Sequence, residues 1–236
     1  MLSENSILRR IPSTLDPKQI LFIDGIRHSV EMIDLAYSRL RKSLTHLALS
    51  QITPDDLRQM STHVFLDAWA MVDAIDRFRM LYSQMPGMTA VHSEPKIKPL
   101  NEVTQPFREL RNVADHLSQR ADFVVSRNGS ALGVLTWITG FEINPTAIWL
   151  CTLRPGTIKT VPEFRQESIL TTIDWPTDQI SLSAGGFEGN LSTVLPHIKL
   201  RIKHFESQLE NALKDIIGIH PITNDVLSKK PFVKKT

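Results

Sequence analysis

The chain has one cysteine, Cys151, in 236 residues. That excludes a disulfide framework and any zinc or iron–sulfur site built from several thiolates. Long apolar runs are missing too. No stretch reaches the ~18 uninterrupted apolar residues of a membrane-spanning helix, and the opening MLSENSILRRIPSTLD has no signal-length apolar run before its arginines. A soluble, cytoplasmic protein with no membrane partner is expected. There is little excess charge of either sign: Lys and Arg total 27, Asp and Glu 25, leaving +2. This excludes a polybasic nucleic-acid coat and an acidic solvating tail, but leaves room for a local basic groove. Glycine is scarce in the first half, where Gly25 and Gly87 are the two that precede residue 123.

What is present divides accordingly. Ile23, Ile26, Val30, Ile33, Tyr37, Leu40, Leu44 and Leu47 recur at steps of three and four, so they share one stripe of a helix over 16–50, with Pro17 in its first turn. Thr53-Pro54-Asp55-Asp56 then supplies a capping Thr, a Pro just inside and acids in the first turn of a second helix. Its stripe is Leu57, Val64, Ala68, Met71, Ile75, Phe78 and Tyr82, and Pro86-Gly87 ends it. Two long helices joined by a few residues pack antiparallel. After an irregular connection marked by Pro95 and Pro99, Thr104 or Pro106 is expected to open a third helix.

After residue 122 the pattern changes. ALGVLTWITGFE and TAIWLCTL, at 131–142 and 146–153, are β-branched and aromatic runs separated by Asn144-Pro145. Segments 168–175 and 179–183 read as two further strands, and Gly185-Gly186-Phe187-Glu188-Gly189 as a turn. A last helix carries the stripe Leu191, Leu195, Ile198, Ile202, Phe205, Leu209, Ala212 and Ile216, long enough to serve dimerisation as well. The fold expected is α+β: a helical bundle over 1–122, a strand-rich antiparallel region over 123–190, a long C-terminal helix over 191–218 packing back, and a basic tail over 219–236. Lys229, Lys230, Lys234 and Lys235 read as a solubilising terminus, and Cys151 as inert core.

The third helix carries the chemistry. In PFRELRNVADHLSQRAD, at 106–122, Phe107, Leu110, Ala114, Leu117 and Ala121 form the core stripe. Arg108, Arg111, Asn112, Asp115, His116 and Gln119 then fall on the opposite side. Asn112 and His116 are one turn apart, and Arg111 has the reach to join them. Arg41…His46 and Arg58…His63 share the Arg-x4-His spacing, but Arg111 alone of the three is followed by Asn.

Arg111-Asn112-Val113-Ala114-Asp115-His116, on a third helix after an antiparallel pair, resembles the Arg-x4-His signature of the HEPN superfamily. The resemblance covers about residues 17–122. It implies a small helical bundle that dimerises and, in active members, a composite metal-independent ribonuclease site. Leu117-Ser118 follow His116 where many HEPN toxins have His-x-Tyr. RNA cleavage without a metal needs a base for the 2′-hydroxyl, a cation on the phosphate and an acid for the leaving oxygen. By resemblance, His116 is the base or acid, Arg111 the phosphate clamp and Asn112 the orienting amide. Arg108, Gln119 and Arg120 are candidate substrate contacts. One histidine cannot make both proton transfers at once, so a homodimer is the natural completion.

The expected function is a metal-independent endoribonuclease in defence or RNA turnover, with RNA as substrate and an inhibitor or antitoxin protein as a further candidate partner. The alternative is a catalytically inactive, dimeric interaction or binding module on the same fold. A plainer reading also stands: Arg111–Asp115 and Asn112–His116 are i,i+4 pairs of the kind that decorate solvated faces. No cofactor is expected. His63 with Asp67, Asp24 with His28, and Asp73 with Asp76 hint at a carboxylate–histidine metal site, but no acidic residue has histidine three positions on, as di-iron bundles need, so no metal is expected. Asp73–Arg77 reads as a helix salt bridge and Asp76 as a polar residue flanking the stripe.

Overall fold

The computed structural model describes residues 1–87, 98–126, 129–140, 148–156, 176–218, 221–222 and 224–230. α1 spans Pro17–Leu49, with the Asp16 carboxylate accepting from the backbone N–H groups of Lys18 and Gln19. α2 spans Pro54–Ser83 and is capped by the Thr53 hydroxyl, which accepts from the Asp56 N–H. Both begin as their sequences dictate, because a short oxygen-bearing side chain followed by Pro satisfies the orphan N–H groups of the first turn. Early α1 meets late α2, with Gly25 against Leu81, and late α1 meets middle α2, with Arg39 paired to Asp67 at 3.2 Å, so the two run antiparallel. Their stripes are buried from Ile23 to Leu44 and from Val64 to Tyr82. Leu57 departs from this pattern and is exposed.

α3 differs from expectation at both ends. It spans Leu100–Asp115 and holds Pro106 in its interior. Residues 121–126 form a separate short helix, α4 (Ala121–Ser126). The buried stripe of α3 is therefore Leu100, Thr104, Phe107, Leu110 and Val113, while Ala114 and Ala121 are exposed and Leu117 half-buried.

The second half holds an antiparallel sheet in the order β2-β1-β3-β4, from β1 (Val134–Gly140), β2 (Ile148–Leu153), β3 (Thr177–Ala184) and β4 (Phe187–Asn190). Expected strand 168–175 lies outside the described residues. Of the turn expected over 185–189, the part from Phe187 on belongs to a strand, β4. Only Gly185-Gly186 turns, with φ of +54° and +82° at the two central positions of a two-residue hairpin. That geometry matches the twist of the flanking strands and favours glycine. On β3 the register against β1 shifts between Thr136 and Ile138. Gln179, with φ +53°, is the extra residue of the resulting bulge.

The sheet and bundle share one core. Gly189 of β4 lies so close to Phe107 and Leu110 that a Cβ there would sit 2.9 Å and 3.0 Å from their carbons. On the other flank, the Tyr37 hydroxyl donates to Ser192 (2.9 Å) and the Thr45 hydroxyl to Thr177 (2.7 Å). α5 (Val194–Ala212) buries Val194, Ile198, Arg201, Ile202, Phe205 and Leu209, and the ring of Phe205 meets that of Tyr82 5.8 Å away, edge to face. Of the stripe expected there, Leu195 and Ile216 are half-buried and Ala212 is exposed. Because α5 turns this face to its own core, the stripe is not a free dimer surface.

Both ends of the described chain are tied down as well. Ile7, Leu8 and Ile11 are buried, Ser6 bonds Glu206, the Ser13 N–H donates to the Pro221 carbonyl, and Asp225 pairs with Arg27 at 2.7 Å.

Candidate functional site

The candidate residues all derive from the end of α3 and the turn that follows. α3 carries Arg108, Arg111 and Asn112; His116 is its C-terminal cap residue, with φ −116°; Gln119 and Arg120 lie in the turn before α4. Arg111 is on the side of α3 that faces α2, and there its guanidinium meets carboxylates. It donates to Asp76 Oδ2 at 2.8 Å and lies 3.5 Å from Asp73 Oδ1 and 3.7 Å from Asp115 Oδ2. The Asp76 hydrogen bond, helped by the neighbouring charges and opposed by burial, holds the guanidinium pKa above its ordinary value.

Asp76 is the centre of this arrangement. Its side chain is 6% exposed, and its other oxygen accepts from Arg79 at 2.8 Å. Asp73 in turn accepts from Arg77 at 2.8 Å, the helix salt bridge expected from the sequence. Three arginines (Arg77, Arg79, Arg111) meet three aspartates (Asp73, Asp76, Asp115), so the cluster closes near zero charge. It joins α2 to α3. Asp76 was expected to flank the stripe; instead it is buried within it, between Ile75 and Phe78, which are also buried. An acid in an apolar stripe needs a cation, and that was the signal available in the sequence.

No family model, curated protein or solved structure matches the chain.

His116 is outside this cluster. It is exposed, and among the described residues no hydrogen bond or ion pair holds its imidazole or joins it to Arg111. Its backbone does the work of ending the helix: the N–H donates to Asn112 O at 3.2 Å and the carbonyl accepts from Gln119 and Arg120. Asn112 is half-buried one turn earlier, Arg108 and Gln119 are exposed, and Arg120 is half-buried. The structure thus unites Arg111 with acids of α2 and leaves the histidine on an open surface. Among the described residues no group of three His, Cys, Asp or Glu side chains converges as metal ligands, and no helix is long and apolar enough to cross a membrane.

An open groove of about 770 Å³ runs between the first half of α3 and the β3–β4 hairpin. It excludes Arg111, Asn112 and His116, and Glu102, Glu109 and Glu188 line it, which disfavours a phosphate backbone.

Proposed function

We propose that the chain is a non-catalytic, HEPN-like interaction module that works as a homodimer in the cytoplasm. The observation that carries this reading is the Arg111 network. A phosphate oxygen approaching that guanidinium competes with the Asp76 hydrogen bond and comes near three carboxylates, which favours a role for Arg111 in holding α3 on α2.

A surface for the second copy is available on α1. Leu21 (67% exposed), Met32 (41%) and Leu35 (60%) fall within about 60° of arc on its outer side, and Leu66 (63%) is exposed on α2 next to the Arg39–Asp67 link. The arc is not purely apolar, since exposed His28 and Arg39 share it, but large exposed apolar side chains on one side of a helix offer a surface to a second copy. In sedimentation velocity at micromolar concentration the wild-type chain is expected to run as a dimer. Leu35→Glu, at an exposed position, is expected to run as a monomer with an unchanged circular dichroism spectrum. A monomeric wild type, or a Leu35→Glu variant that stays dimeric, contradicts this assignment.

One observation favours a second reading. The exposed imidazole of His116, unengaged among the described residues, is what a general base or acid needs. In that reading the dimer is an RNase, with His116 from each copy sharing the two proton transfers and with Asn112, Arg108, Gln119 and Arg120 contacting RNA. An inhibitor or antitoxin protein is then a natural partner. Arg111 acts as a phosphate clamp there only if the Asp73–Asp76 contacts open.

A further inference from the structure

We propose that the groove between α3 and the β3–β4 hairpin docks an extended basic segment of a partner protein, with lysine or arginine at every third residue and apolar residues between. The groove holds about 770 Å³ and its surface is mostly apolar, with half-buried Pro106 from α3 and half-buried Phe187 from β4 among its lining. Three carboxylates line it as well, Glu102 and Glu109 from α3 and Glu188 from β4. Glu102 and Glu109 are seven residues apart, so they share one face of α3, separated by about 20° of arc and about 10 Å along the axis. Gln105 and Pro106 lie between them on that side.

The bonds these groups already make leave them able to take a cation. Glu102 pairs with Lys98 at 3.8 Å, and with side chains 59% and 71% exposed that pair is weak. One Glu109 oxygen accepts from Gln105 at 2.7 Å, but a carboxylate has about four acceptor sites, so further donors can join. Pro106 adds a backbone acceptor. It has no N–H to give the Glu102 carbonyl, the bond an interior helical residue makes, so that carbonyl is left to a donor from outside the ladder. A chain of polyproline II type repeats every three residues, about 9 Å, which matches the spacing of Glu102 and Glu109. Lysine and arginine suit the lining twice over, because the charged head pairs with a carboxylate while the aliphatic stem lies on apolar surface. The same carboxylates repel an acidic peptide or a nucleic acid. This reading uses neither His116 nor the Leu35 face of α1, so its failure and that of the dimer assignment are separate outcomes.

The test is fluorescence anisotropy of labelled KLPKLPK peptide titrated with the full chain at about 150 mM salt, beside the peptides ELPELPE and KGGKGGK. KLPKLPK is expected to saturate with a Kd below about 0.3 mM, and the other two to bind about tenfold more weakly or not at all. Glu102→Lys and Glu188→Lys are each expected to weaken KLPKLPK binding about fivefold, while Asp55→Lys, an equal change of total charge on α2, leaves it unchanged. Both glutamates are exposed, and circular dichroism checks that the variants fold. Absence of saturation at about 1 mM, equal binding of either control peptide, full binding by both glutamate variants, or equal weakening by Asp55→Lys overturns the proposal. A wild-type dimer that Glu188→Lys turns into a monomer overturns it too, because the groove then belongs to a second copy.

Discussion

Asp76 is a single residue on which the α2–α3 contact turns. It is buried, and it accepts hydrogen bonds from Arg79 and from Arg111. Removing one partner of a buried pair costs about 3–5 kcal/mol, and a smaller loss, about 2 kcal/mol, is expected where Arg111 is a third exposed. Urea unfolding of Asp76→Ala should show that loss, while Asp73→Ala, at a position 35% exposed, should lose under about 1 kcal/mol. Equal small losses for both would remove Asp76 from the centre of the network.

A second residue-scale consequence concerns pH. Burial raises the Cys151 thiol above its ordinary value of about 9, and burial likewise raises Tyr37 above about 10 despite its bond to Ser192. In both, the folded chain favours the neutral form, so the unfolded chain releases its proton first as pH rises. The stability from these groups is complete below the ordinary values and declines as pH climbs through them. The urea midpoint is expected to be flat from about pH 7 to 8.5 and to fall between about pH 9 and 11. A midpoint that rises over that upper window contradicts the burial of both groups.

At the scale of elements, α3 and the β3–β4 hairpin are built for each other. Gly185 combines a φ of +54° with a Cβ position 2.8 Å from the Val113 methyls, and Gly189 stands against Phe107. Gly185→Ala therefore meets both a left-handed backbone and a clash with α3, and thermal or urea unfolding should show a loss of about 2 kcal/mol. A neutral effect would mean that the hairpin does not seat on α3.

The same pair shows what was legible in the sequence. The starts of α1 and α2 were readable because Asp16-Pro17 and Thr53-Pro54 carry their own caps. α3 was misplaced because Pro106 is tolerated inside it, and because Ala114, Leu117 and Ala121 continue the helical spacing past Asp115 although the chain leaves helical geometry at His116. β4 was hidden because Phe187-Glu188-Gly189-Asn190 has a glycine where α3 presses closest. That requirement is set by a distant segment, not by local propensity. The polar face of α3 was visible as a spacing pattern. Its engagement was not, since the Asp76 that binds Arg111 is 35 residues away on another helix.

At the scale of the molecule, two halves of different composition close over one core. The sheet is held to α1 through Tyr37 and Thr45 and to α3 through Gly189, and α5 is consumed in that closure. The near-neutral total charge repeats at the α2–α3 cluster, where three arginines and three aspartates balance. No basic surplus is left at Arg111 to draw in a polyanion. The most direct test of this account is a cleavage assay on single-stranded RNA in EDTA, with purified wild type beside His116→Ala. The account predicts no cleavage by either above the buffer control. Cleavage by wild type that is lost in a correctly folded His116→Ala would contradict it.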